Sequence, residues 1–122
     1  MTVVAEQAHQ LALRVSIGEA ARTLQELLSR RLTAYIAGVK DGKTVTRWAN
    51  GEVTVTREDN ELRLRTAYEI AQLLLQFDSP QTVRAWFIGL NPQLDDRSPA
   101  QALHEGQLKE ALSAARAFVA GG

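Results

Sequence analysis

Asp95 and Asp96 stand side by side in "LNPQLDDRSPAQALHEG", residues 90–106, and His104 closes the same stretch. Adjacent carboxylates and an imidazole are raw material for acid–base chemistry or for holding a magnesium ion. The chain supplies little to complete either arrangement. No glycine-rich loop is spaced to cradle a phosphate, no second carboxylate cluster lies nearby, and neither His9 nor His104 sits in a metal-ligating pattern such as H-E-x-x-H. A G-x-S-x-G elbow is missing. With no cysteine there is no thiolate nucleophile, thiolate zinc site or disulfide. The expectation is therefore no catalytic residue, no metal and no cofactor, with a small enzyme using Asp95, Asp96 and His104 kept as a rival.

A second group of residues suits a polyanion. In "VKDGKTVTRWANG", Val45 and Trp48 lie three apart and set the buried side of a short helix, which leaves Lys43, Thr44, Thr46, Arg47 and Asn50 facing outward. Threonine, arginine and asparagine can address base edges, while Lys40 and Lys43 can address phosphates. Two short helices from Leu32 to Gly51 joined by a tight turn fit a helix-turn-helix. They fit equally an ordinary helix pair with a solvated polar face. A third group, Trp86, Phe87 and Leu90, is the heaviest apolar cluster. It serves as a core plug or as a hot spot for a protein partner, and both can hold, because residues 79–122 alone bury little surface.

The elements that must position these residues read as helix after helix. Ser16 and Glu19 form a capping box, followed by an apolar stripe of Ile17, Ala20, Ala21, Leu24, Leu27 and Leu28, which predicts a helix over 16–30. Further helices are expected at 32–38, capped by Thr33 and closed by Gly38, and at 42–50. The run Leu64, Ala67, Tyr68, Ile70, Ala71, Leu74, Phe77 predicts a helix over 60–77. Ser79-Pro80 and Ser98-Pro99 start helices over 80–90 and 99–105. Leu108, Ala111, Leu112, Ala115, Phe118 and Val119 stripe a last one over 107–120. Val53 to Thr56 alternates as a short extended link or edge strand, and Leu11, Leu13 and Val15 belong to a short helix or a loose arm. Asn91 is placed to cap the preceding carbonyls, and Leu94 to anchor the connector.

The fold expected is all-α: a small helical bundle with an N-terminal arm over 1–15, a helix-turn-helix-like domain over 16–78 and a compact helical domain over 79–122. At 122 residues and 45% hydrophobic, the chain has room for a modest core. It lacks an apolar run of about 18 residues and a recognisable export signal, so a cytoplasmic protein without membrane contact is expected. Net charge is zero, yet from Arg22 to Arg65 nine basic residues face six acidic ones, a local +3 balanced by −3 elsewhere. That asymmetry fits a basic module joined to an acidic one, and fits equally two solvated faces with scattered charges.

Two segments resemble a known family. "LTAYIAGVKDGKTVTRWANGE" resembles the helix-turn-helix of Xre-like antitoxins, and "RAWFIGLNPQLDDRSPAQALHEGQLKEALSAARAFVAGG" is similar to the C-terminal toxin-binding domain of the MbcA/ParS/Xre antitoxin family. The similarity spans residues 24–122. It is most specific at Trp86, at Asn91 and Leu94 in the turn, at Pro99, Leu103 and Gly106, and in a final helix with Phe118 that ends at Gly121. Where family members often carry small residues before the proline, this chain has Asp95, Asp96 and Arg97. The resemblance implies an antitoxin of a type II toxin-antitoxin system. Its partner would be a RES-domain toxin that destroys NAD, with Trp86, Phe87 and the residues just named contacting that toxin. It also implies autorepression by binding operator DNA, as a homodimer or higher-order complex with the toxin. The alternative is a stand-alone helix-turn-helix regulator whose C-terminal domain only dimerises it.

Overall fold

The computed structural model describes residues 2–121, and among these the fold is all-α, without a strand. Its helices are α1 (Thr2–Arg14), α2 (Ile17–Leu28), α3 (Arg30–Ala37), α4 (Gly42–Ala49), α5 (Glu58–Leu75), α6 (Pro80–Ile88), α7 (Pro99–His104) and α8 (Leu108–Val119). A 3-10 turn, Pro92–Leu94, sits between α6 and α7. The long helix α5 is the spine. Leu64, Ala67, Ile70, Ala71, Leu73 and Leu74 along it are buried, and α1, α2, α3 and α8 all pack against it. Each fully buried leucine or isoleucine contributes roughly 1.5–3 kcal/mol of transfer free energy.

Capping follows the serine and proline signals. Ser16 Oγ accepts from Glu19 N–H, Ser79 Oγ from Thr82 N–H, and Ser98 Oγ from Gln101 N–H. One cap differs from expectation. The predicted 16–30 helix breaks at Ser29, whose φ of 97° lets α3 start with no linker, and Ser29 Oγ accepts from Leu32 N–H. Thr33, expected as the cap, lies inside α3 and is buried. Its hydroxyl donates back to the Ser29 carbonyl at 2.7 Å. Gly38 closes α3 in a left-handed conformation, where a Cβ would be strained.

The N-terminal arm is a helix. Its buried residues are Ala8 and Ala12, which let α1 approach α5 closely, whereas Leu11 and Leu13 point outward. Residues 53–56 form an irregular link with Val55 buried, and no edge strand. Phe77, expected on the apolar face of α5, falls beyond the helix end and is exposed. In α8 the buried stripe is Ala111, Ala114 and Ala115, while Phe118 at its end is 38% exposed.

What ties the helices together is a repeated device: side chains from one helix donate to the terminal carbonyls of another. Arg65 donates to Ala12 O and Val15 O, closing α1. Arg84 donates to Leu27 O on α2, Asn60 to Ala37 O on α3, Arg22 to Ala49 O on α4, and Arg63 to Leu103 O on α7. The last turn of a helix has unpaired carbonyls and a negative dipole end, so a guanidinium there gains both a hydrogen bond and a favourable charge. Two of these bonds, from Arg63 and Arg84, cross the expected boundary between residues 78 and 79. Tyr35 and His104 cross it as well, with rings stacked at 4.2 Å and His104 Nδ1–H donating to the Tyr35 carbonyl at 2.6 Å. One hydrophobic cluster runs from Ala8 to Ala115 through both halves.

Candidate functional site

Three of the residues first considered for chemistry are now placed. Asp95 and Asp96 are exposed at the tip of the α6–α7 corner, both with left-handed backbone, φ 55° and 62°. Short polar side chains tolerate that conformation better than most. The corner closes around Asn91, whose carbonyl accepts from Leu94 and Asp96 N–H and whose N–H donates to Arg97 O. The Asn91 side chain caps the following 3-10 turn, accepting from Gln93 N–H at 2.9 Å, rather than the preceding carbonyls. α6 has already ended at Ile88, so Asn91 stands at the start of the 3-10 turn, where N–H groups lack partners within the turn. Arg97 then ties the corner to α7, donating to Leu94 O and to Glu105. The hydrogen bond from Gln101, and next that from Arg97, hold Glu105 below the ordinary carboxylate value. His104 is committed to Tyr35, and Asp95 pairs with Arg97 at 3.5 Å. Among the described residues no group of three or more His, Cys, Asp or Glu could hold a metal ion.

The segment expected as a helix-turn-helix consists of α3, the Gly38–Asp41 turn and α4. Asp41 caps α4 by accepting from Lys43 N–H at 2.9 Å. Val45 and Trp48 are buried as expected, and Gly18 in α2 lies so close to the Trp48 carbonyl that a Cβ there would meet the oxygen at 2.8 Å. Lys40, Lys43, Arg47 and Asn50 are exposed. Thr44 is half-buried, and Thr46 is not outward: its hydroxyl donates to Gln25 Oε1 at 2.7 Å, pinning α4 to α2. Asn50 also donates to Glu52. Arg30, Arg31, Lys40 and Lys43 line one concave patch beside the turn, with Asp41 the only acid among them.

The basic half is less free than its charge count implies. Arg22, Arg63 and Arg65 are bound to helix carbonyls, and Arg57 pairs with Asp59, whose carboxyl its hydrogen bond holds below the ordinary value. What remains for a ligand is Arg30, Arg31, Lys40, Lys43 and Arg47. These five cluster around the start of α3 and along α4.

In the rear half, the residues that the resemblance ties to toxin binding divide into two sets. Phe87, Leu94, Pro99 and Leu103 are fully or almost fully buried, so they cannot touch a partner and instead hold the shape of the corner. Trp86, Asn91 and Phe118 line one open groove together with Leu90, Pro92 and Gln93. Gly106 and Gly121 are exposed turn positions with positive φ. Trp86 packs edge-on against Phe87 with ring centres 5.4 Å apart and leans on Phe118 at 6.3 Å. Trp86 is 9% exposed, and its indole Nε1–H is buried with no acceptor among the described residues. Leu90 is 77% exposed and Ile88 57% exposed. Leu90 was expected in the apolar cluster as core plug or hot spot, and its exposure places it on the hot-spot side; Ile88 was not among the expected contact residues. Their signal was the position of Gly89, which ends α6 early and turns Leu90 away from the stripe.

No membrane-spanning candidate occurs among the described helices. Searches with protein-family models, among curated proteins and among solved structures find no match to this chain.

Proposed function

We propose that this chain is the antitoxin of a type II toxin-antitoxin system, neutralising a RES-domain, NAD-degrading toxin by covering its active site. It would also repress its own operon by binding operator DNA through α3 and α4. The observation that carries the reading is the groove of Trp86, Leu90 and Phe118, where large apolar side chains stand exposed outside the core. Exposed apolar side chains gathered along one groove suit a surface that a partner covers. The sequence resemblance gives that partner its name. Inhibition is then steric, and no residue of this chain needs to turn over a substrate.

The test is NAD consumption by a RES-domain protein encoded beside this chain, with and without the purified chain. Wild type should suppress consumption, and Leu90→Asp together with Phe118→Asp should restore it while the helical circular dichroism stays unchanged. Full inhibition by that double variant would remove the rear groove from the mechanism. The second reading, a stand-alone regulator, is favoured by the cationic patch of Arg30, Arg31, Lys40 and Lys43 beside the start of α4, with Arg47 exposed further along that helix. It predicts salt-sensitive DNA binding with no effect on any toxin.

A further inference from the structure

On the side of the molecule where the two halves meet, α2, α3 and α6 enclose a second groove that shares no lining residue with the Trp86 groove. Leu28, Leu32, Tyr35 and Ile88 make its floor and walls, and its surface is almost wholly apolar. Arg31 stands on the α3 side and Arg84 on the α6 side, and no carboxylate lines it. Among the described residues Arg31 makes no hydrogen bond or ion pair. Arg84 spends only Nε, on the Leu27 carbonyl at 2.9 Å, which fixes its guanidinium plane and leaves the two terminal nitrogens unengaged.

From this we infer that the groove is a docking site for an acidic protein segment, one that inserts an apolar side chain between Leu32 and Ile88 and sets flanking carboxylates on Arg31 and Arg84. The inference does not rest on the antitoxin reading. Charge decides the occupant. A second copy placed face to face on the same groove would bring Arg31 and Arg84 of each copy against those of the other, a like-charge pairing that costs rather than gains. A nucleic acid would satisfy the arginines but leave the half-buried Leu32 and the 57% exposed Ile88 uncovered or against phosphate. An amphipathic segment with carboxylates satisfies both parts, because a guanidinium held in a fixed plane suits bidentate contact with a carboxylate. Tyr35, on the groove wall, is stacked on His104 of α7, so the wall is rigid on both sides of the junction.

Two labelled helical peptides test this by fluorescence anisotropy against the full chain. Both carry leucines at i and i+4, and they differ only in having glutamates or lysines at the flanking positions. The glutamate peptide should bind at least about tenfold more tightly than the lysine peptide near 0.1 M salt, and the gap should narrow near 1 M salt. Ile88→Asp should abolish binding of the glutamate peptide. Arg31→Glu, which breaks no bond within the chain, should weaken it by about tenfold and narrow the preference for acid. Equal binding of the two peptides, binding by neither, or undiminished binding in Ile88→Asp would each overturn the assignment. Melting curves of the two variants establish that they remain folded.

Discussion

Two surface patches of this molecule carry opposite kinds of side chain. Beside the α3–α4 turn stand the exposed cations Arg30, Arg31, Lys40, Lys43 and Arg47, while around the end of α6 and the end of α8 stand the exposed apolar side chains Ile88, Leu90 and Phe118. The contrast is sharpened by what each half hides. The front hides arginine bonds, with Arg22, Arg63 and Arg65 turned onto helix carbonyls. The rear hides Phe87, Leu94 and Leu103 beneath the same surface that exposes Leu90. A residue type therefore says little about whether it faces a ligand. What decides is whether the nearby helix ends and core have already claimed it.

The largest expected effect separates two apolar neighbours in the rear. Phe87→Ala should cost about 3–5 kcal/mol of folding stability, because a fully buried ring leaves a cavity. Leu90→Asp should leave the urea midpoint within the range of an ordinary surface change, about 0.5 kcal/mol, and yet weaken inhibition of the toxin. Should both variants lose stability alike, the division of the rear into buried support and exposed contact is wrong.

The same division in the front is made by two arginines. Arg63→Ala removes a charged donor from the carbonyls of Leu103 and His104 and should cost roughly 1–3 kcal/mol. Arg47→Ala touches no internal bond and should leave stability unchanged while reducing affinity for the promoter DNA. Lys43→Ala should lower affinity for every DNA sequence and make the slope of log affinity against log salt shallower by about one. Chemical denaturation and DNA titration over a salt series measure the two properties separately.

This arrangement explains which parts were legible from the sequence. Helix starts were readable because Ser16, Ser79 and Ser98 cap locally, through bonds spanning three residues. The buried faces of α2 and α4 were readable for the same reason, since Leu24, Val45 and Trp48 recur at helical spacing. Long-range bonds were not. Nothing in the spacing of Arg63 announces that it reaches α7, or that Thr46 turns inward to Gln25. The helix α1 was missed as a firm element because alanines carry its packing and its leucines face out, the reverse of the usual stripe. At the candidate site, the apolar cluster was visible in sequence, but not that Phe87 would be its buried part and Leu90 its exposed part.

Backbone strain offers a smaller comparison. Ser29 in the front lies at φ 97°, ψ 155°, a region almost reserved for glycine, whereas Asp95 in the rear lies at φ 55°, ψ 42°, which aspartate tolerates. Ser29→Gly should thus stabilise the chain by about 1 kcal/mol, since replacing a serine cap by glycine costs only a few tenths. Asp95→Gly should gain less. A loss of stability in Ser29→Gly would mean that the hydroxyl bond to Leu32 N–H outweighs the strain.

The smallest effect concerns two exposed carboxylates, one in each half. Asp59 is held below its ordinary value first by the hydrogen bond from Arg57, and Glu105 first by the hydrogen bond from Gln101 and then by that from Arg97. Both folded values lie below the unfolded ones, so each stabilising contribution is complete above the ordinary carboxylate value and is lost as pH falls through the lowered one. Wild type should therefore lose melting temperature relative to Asp59→Asn and Glu105→Gln as the solution is acidified below the ordinary carboxylate range, and the three proteins should run parallel at neutral pH. Salt then distinguishes the halves. The leading partner of Asp59 is a cation, whereas that of Glu105 is a neutral amide, so about 1 M salt should flatten the acid dependence tied to Asp59 more than that tied to Glu105. Equal flattening would show that Arg97, not Gln101, dominates at Glu105, and that the corner is held by the same kind of charge pairing as the front of the molecule.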